Sequence, residues 1–120
     1  MDKINLAEQF AKINEYWQPL VVGELNGQLV KLAKVKGEFL MHHHEEEDEM
    51  FLVVRGQLEI VFRDRKELLE QGEFLVIPRG VEHMPVAAEE VEIMLFEPAS
   101  TRNTGNIVNE RTVENPRSIL

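Results

Sequence analysis

The spacing of apolar positions changes at Pro19. Before it, Leu6, Phe10, Ile13 and Trp17 recur at helical spacing, which places them on one stripe and predicts a helix over about residues 5–17. Asn5 suits its N-cap, and Glu8 three places on gives an N-x-x-E version of the capping box. The stripe has two candidate partners, the rest of its own domain or a second subunit. Pro19 fits no further helix. From Leu20 onward, short apolar runs alternate with turn signals. PLVVGEL and QLVKLAKV flank Asn26-Gly27, a strong two-residue hairpin signal. EFLMH follows Gly37, and EMFLVV and QLEIVF flank Arg55-Gly56. In QLEIVF, Leu58, Ile60 and Phe62 alternate with Glu59 and Val61, the period of a half-buried strand. Arg63 to Lys66 read as a charged, solvated turn, and KELLE, EFLVI, HMPVAA and VEIMLFE follow. These make about nine short strands with no helix between them, the pattern of an antiparallel sandwich or barrel rather than a βαβ fold. The barrel is expected over about residues 20–97. Beyond Pro98 the chain turns polar, and residues 98–120 read as an extended tail with no assigned chemistry.

A chain of 120 residues suits one domain. It has no cysteine, so disulfides and thiolate metal sites are excluded, which suits a reducing, cytoplasmic setting. MDKINLAEQF has acids and no apolar h-region, so it does not read as a signal peptide. No apolar run approaches the roughly 20 residues that cross a bilayer. The net charge of -9 argues against non-specific nucleic-acid binding and against docking on an anionic membrane. The expected partner is a small molecule or another protein.

All four histidines fall in two stretches, GEFLMHHHEEEDEMFLVVRG from Gly37 to Gly56 and GEFLVIPRGVEH from Gly72 to His83. His42 and His44 are two apart on the predicted EFLMH strand, so both imidazoles point to one face and His43 to the other. Glu49 shares parity with Phe51 and Val53 and is the acid best placed to face the interior. Glu45, Glu46, Glu47 and Asp48 read as the solvated turn. His83 follows the Pro78-Arg79-Gly80 turn, and a second hairpin can carry it across to His42 and His44. Three imidazoles and one carboxylate suit a divalent Fe, Mn, Ni, Co, Cu or Zn ion. An ion that takes six ligands would keep about two positions open for water and substrate. Zinc in a closed four-ligand site would be structural.

The two stretches resemble the paired motifs of the cupin superfamily. The first runs Gly37, His42-x-His44, four residues, Glu49, six residues, Gly56; only the Gly37 spacing is one residue short. The second runs Gly72, Pro78-Arg79-Gly80, His83 and then Ala87, where the family usually has Asn. The resemblance covers about residues 20–97. It is nearest to small single-domain cupins of the mannose-6-phosphate-isomerase-like group. It implies a double-stranded β-helix, or jelly roll, with His42, His44, Glu49 and His83 as metal ligands. Fold alone does not fix the reaction. The expected function is a metal-dependent enzyme (an isomerase, lyase or dioxygenase) acting on a small polar or anionic molecule, with Glu49 also shuttling a proton. The alternative is a non-catalytic, metal-dependent binding or sensing module. Met41, Phe51, Met84 and Phe96 are the expected pocket walls, and Arg55 and Arg79 the candidate anion contacts. A phosphosugar isomerase ranks low, because the chain shows no basic cluster. A homodimer is expected, with the helix stripe and the tail at its interface.

Overall fold

Asn26 and Gly27 both take positive φ, 51° and 80°, the requirement of a type I′ hairpin turn. They fold β1 (Leu20–Leu25) antiparallel onto β2 (Gln28–Glu38). The computed structural model describes all 120 residues. After β2 come β3 (Glu49–Arg55), β4 (Leu58–Val61), β5 (Lys66–Leu69), β6 (Phe74–Ile77), β7 (Met84–Pro98) and β8 (Arg117–Ser118), preceded by the helix α1 (Leu6–Phe10). The strands run in the order β5-β4-β7-β2-β1-β8, while β3 joins β7 to β6. The expected all-β jelly-roll barrel with a short N-terminal helix is the observed fold.

The long strand β7 ties the barrel together. One edge pairs with β2 from Val86 to Pro98. The other pairs with β4 near Pro85 and with β3 from Glu92 to Phe96. HMPVAA and VEIMLFE, which read as two strands, are thus one, because the acids Glu89 and Glu90 continue the extended backbone instead of turning it. Gly56 makes the β3–β4 turn at φ 97°, where a Cβ would come 3.2 Å from the Glu90 carbonyl oxygen.

Two apolar cores lie on opposite faces of β2. The barrel interior holds Ala33, Val35, Phe51, Val53, Leu58, Ile60, Ile93 and Leu95 among others. The second core packs Phe10 and Ile13 against Leu20, Val22 and Leu32 on the outer face of β1 and β2. The N-terminal stripe is therefore spent on its own domain, where Phe10 and Ile13 are buried.

Three expectations need correction. The helix covers residues 6–10 rather than 5–17. Asn5 caps it as expected, accepting from the Glu8 N–H at 3.0 Å, but Ile13 N–H bonds Phe10 O, a tighter three-residue step that ends the helix. So short a helix has little stability of its own, and the chain unwinds so that Trp17 can stack on Phe39 at 4.8 Å. Trp17 pays with a left-handed backbone, φ 62°, held by its amide on Lys34 O and its indole N–H on Lys36 O, both at 2.9 Å. EFLMH forms no strand beyond Glu38. The tail is not simply extended: residues 101–113 fold into a strap of turns, and β8 pairs in parallel with β1.

Candidate metal centre

Backbone bonding delivers the histidines to one place. His42 and His83 form an isolated antiparallel bridge. His44 O accepts from the Gly80 N–H at 2.7 Å, which gives the Pro78-Arg79-Gly80 turn a direct hold on the first motif. Asp48 accepts from the Arg79 amide at 2.9 Å, so the acidic turn is pinned to the same loop. Glu49 opens β3 opposite Ile77, and the inward parity it shares with Phe51 and Val53 is observed as burial.

His42, His44, Glu49 and His83 are all buried, and one ligand atom from each falls within 4.8 Å of the others. His42 Nδ1 lies 2.8 Å from Leu40 O, and His83 Nδ1 lies 2.9 Å from Val81 O. A carbonyl only accepts, so each Nδ1 carries the proton and each Nε2 presents a lone pair. His83 Nε2 sits 3.1 Å from Glu49 Oε1 and His44 Nε2 sits 3.4 Å from it. Both ring nitrogens of His44 are buried without a hydrogen-bond partner. The His83 lone pair and the Glu49 carboxylate thus face each other as two acceptors, an arrangement that a cation satisfies. Burial, together with the neighbouring His83, pushes the His42 imidazole down to about 4, keeping it in the neutral form that binds metal. The donor set fits a divalent transition ion.

Behind Glu49 lies a second buried acid. Glu97 reaches inward from β7, 3.0 Å from the ammonium of Lys31, and both side chains are buried. Burial and the charge of Glu49 hold the Glu97 carboxyl well above the usual range. Burial also pushes Glu49 up, but the Glu97 carboxyl, which donates to it, and the neighbouring His44 and His83 imidazoles outweigh burial and keep Glu49 well below the usual range. The pair therefore holds one proton, on Glu97. With Lys31 beside them, the three side chains carry no net charge, the condition under which such a group survives burial.

A cavity of about 40 Å³ adjoins the centre, lined by His42, Glu49, Glu97, Phe51, Trp17 and Phe39 among others. Of the expected walls, Phe51 lines it. Met41, Met84 and Phe96 do not. Met84 and Phe96 have the opposite parity on β7 to Ile93, Leu95 and Glu97, and Met41 is half-buried in the loop ahead of His42. Arg55 and Arg79 do not line it either: Arg55 is exposed across from Glu92, and Arg79 pairs with Asp48 on the surface. Phe39, Lys31 and Glu97 escaped the sequence reading, and Trp17 enters it only as part of the N-terminal stripe. For Glu97 a signal existed, since it continues the parity of Val91, Ile93 and Leu95. Lys31 gave none, because β2 is apolar on both faces.

The profile of the Cupin domain family matches residues 28–97, more than half of the chain and both halves of the centre. The protein belongs to the cupin family. This cupin is 35% identical to the uncharacterized protein YdbB of Bacillus subtilis over 80 residues, 66% of this chain and 71% of that one. It superposes on a cupin-2 domain containing protein from Shewanella frigidimarina with a TM-score of 0.78 and 48% identity, covering 79% of this cupin and 93% of the other. Protein NMB1881 from Neisseria meningitidis aligns at 30% identity and a TM-score of 0.74, covering 82% and 100% of the two chains.

Proposed function

We propose that this cupin binds one divalent transition metal through His42, His44, Glu49 and His83, and acts as an enzyme on a small polar molecule admitted to the adjoining cavity. The observation that carries the reading is the convergence of four buried acceptors beside a lined cavity. When bound, the ion supplies Lewis-acid polarisation of a substrate oxygen. The chain's own residues do the rest. Leu40 O and Val81 O fix the histidine tautomers. Trp17, Phe39 and Phe51 line the cavity with apolar rings. Glu49 is the carboxylate placed to take a proton from a bound molecule and return it.

The lining narrows the substrate class. Its acids are two carboxyls, Glu49 and Glu97, which share one proton, and no lysine or arginine lines the cavity. A hydroxyl-bearing molecule of little charge suits it better than a phosphosugar, which needs basic contacts. This supports an isomerase, lyase or dioxygenase over a phosphosugar isomerase of the mannose-6-phosphate type. A second reading, a binding module without turnover, draws on the small cavity volume, which favours retention over rapid exchange.

The test is elemental analysis of untagged protein purified without nickel resin or chelator, followed by a turnover screen with the ion found. About one equivalent of metal, with product formed from small hydroxylated substrates, supports the enzyme. Tight ligand binding without product supports the module. Protein that carries no metal and cannot be loaded defeats both.

A further inference from the structure

We infer that the C-terminal strap, residues 101–113, is a working part of the metal centre, and that Gly105 and Asn106 are positioning residues for His42 and His43. The inference rests on the metal reading above for its consequence, but not for its geometry.

The segment bearing His42 and His44 lies outside every named strand. Its backbone therefore needs partners from elsewhere. His42 finds both in His83, and His44 O finds Gly80. His43 has no sheet neighbour. Its N–H donates to Asn106 Oδ1 at 2.9 Å, and its carbonyl accepts from the Asn106 N–H at 2.9 Å. One strap residue thus satisfies both backbone groups of the residue between two ligands.

Gly105 adds a steric constraint. It sits at φ 59°, and a Cβ there would overlap the His43 carbonyl oxygen and stand 2.9 Å from His42 Cδ2. Cδ2 is the ring carbon bonded to Nε2, the nitrogen turned to the centre. The strap backbone therefore lies against the His42 imidazole itself, at a distance only glycine permits.

The strap holds this position by its own bonding. Thr104 is fully buried, and its hydroxyl meets Ile107 O at 2.6 Å and Thr112 Oγ1 at 2.7 Å. Asn103 donates to Arg111 O at 3.0 Å and accepts from the Val113 N–H at 2.8 Å. A folded loop, rather than a loose tail, presses on the ligand segment. Partners of this kind, one step out from the ligands, set ligand orientation and hence affinity.

The experiment compares wild type with Gly105→Ala, Asn106→Ala and Asn106→Asp. The first readout is amide exchange of His43 in metal-free protein. The second is Co(II) affinity, with the visible absorption of the bound Co(II) reporting ligand geometry. Gly105→Ala and Asn106→Ala are expected to expose the His43 amide and to weaken Co(II) binding about ten- to a hundredfold, with an altered spectrum. Asn106→Asp retains an acceptor for the His43 N–H and is expected to recover most of both. If Gly105→Ala does not fold, Asn106→Ala, which adds no atoms, carries the test. Unchanged His43 exchange and an unchanged Co(II) spectrum in the folded variants would overturn the inference. If wild type takes up no Co(II), the metal reading fails, and His43 exchange alone decides whether the strap holds the segment.

Discussion

His42 and His83 exchange both backbone hydrogen bonds, His42 N–H to His83 O at 3.0 Å and His83 N–H to His42 O at 2.9 Å. Residues paired in this way across an antiparallel bridge put their side chains on the same face, and the two rings lie 4.4 Å apart. The motifs are thus joined through backbone before any metal is considered. Replacing either side chain with alanine leaves the bridge intact. His42→Ala and His83→Ala are expected to stay folded by circular dichroism and to lose bound metal in elemental analysis. The loss should at least match the ten- to hundredfold cost, in order of magnitude about 10–100, typical of removing an outer partner of a ligand. A variant that retained a full equivalent would remove that histidine from the centre.

The depressed His42 imidazole gives metal-free protein a definite pH dependence. The unfolded chain takes this proton near the ordinary value of 6.5, and the folded chain only near about 4. Between these values the unfolded state binds more protons, so stability falls as pH falls. The contribution is full above about pH 6.5 and is lost progressively as pH drops toward 4, about 3 kcal/mol over the whole range. Urea unfolding in EDTA at pH 7 and pH 4.5 checks it. His42→Asn should show a smaller difference between the two pH values than wild type, and an equal difference would show that His42 is not the group responsible.

Lys31 and the Glu49–Glu97 carboxyls, which share one proton, form a buried charge pair whose loss should be felt globally. Lys31→Met leaves the buried carboxyls without their cation, and breaking one side of such a pair costs about 3–5 kcal/mol. In metal-free protein the double variant Lys31→Met/Glu49→Gln removes both charges and should recover much of that stability in denaturant unfolding. A double variant as unstable as the single would mean that packing, rather than the unpaired charge, sets the cost.

The contrast between Lys31 and His42 shows what was legible in the chain. The four candidate ligands could be read because His-x-His and an inward Glu49 keep the same parity whether the backbone is a strand or, as here, an irregular segment held by a bridge. The barrel could be read because its turns carry chemical marks, such as Asn26-Gly27. Lys31 could not. Leu32 packs outward under Phe10 while Ala33 and Val35 pack inward, so the alternation that separates faces is absent from β2. The strap was also opaque: its order comes from Thr104, Asn103 and Asn106 bonding to backbone, and such residues read equally well as solvated coil. The helix was over-read because a stripe with helical spacing can also be buried by a chain that unwinds.

The second core makes the N-terminal segment part of the domain. Phe10 is buried between α1 and β1–β2 with Ile13, Leu20, Val22 and Leu32. Phe10→Ala should cost about 3–5 kcal/mol. Were the segment instead a docking element for a partner subunit, the cost would appear mainly as dissociation. Denaturant unfolding beside sedimentation at matched concentration separates the two. A large loss of stability with no change in mass supports intradomain packing.

Trp17 is the only tryptophan, and it reports on the cavity wall it forms. It stacks on Phe39, which in turn meets His42 edge-on at 5.5 Å. Above both rings lies the guanidinium of Arg111, 5.5 Å from the Trp17 ring and 4.6 Å from that of Phe39. Arg111 is fixed by a bond to Glu38 O at 3.1 Å and through its own carbonyl by Asn103. The strap that touches the ligand segment at Gly105 therefore also roofs the aromatic wall at Arg111. A cavity of about 40 Å³ has room for about one water, so anything larger reaches the centre only when this wall shifts. Arg111→Ala removes a cation–π contact worth about 0.5–2 kcal/mol and should loosen the wall without touching a ligand. The expected signature is stronger acrylamide quenching and red-shifted emission of Trp17, faster loss of bound metal to chelator, and unchanged metal stoichiometry. Unaltered quenching and unaltered chelator kinetics would mean that Arg111 is an ornament on the strap and that the wall opens elsewhere.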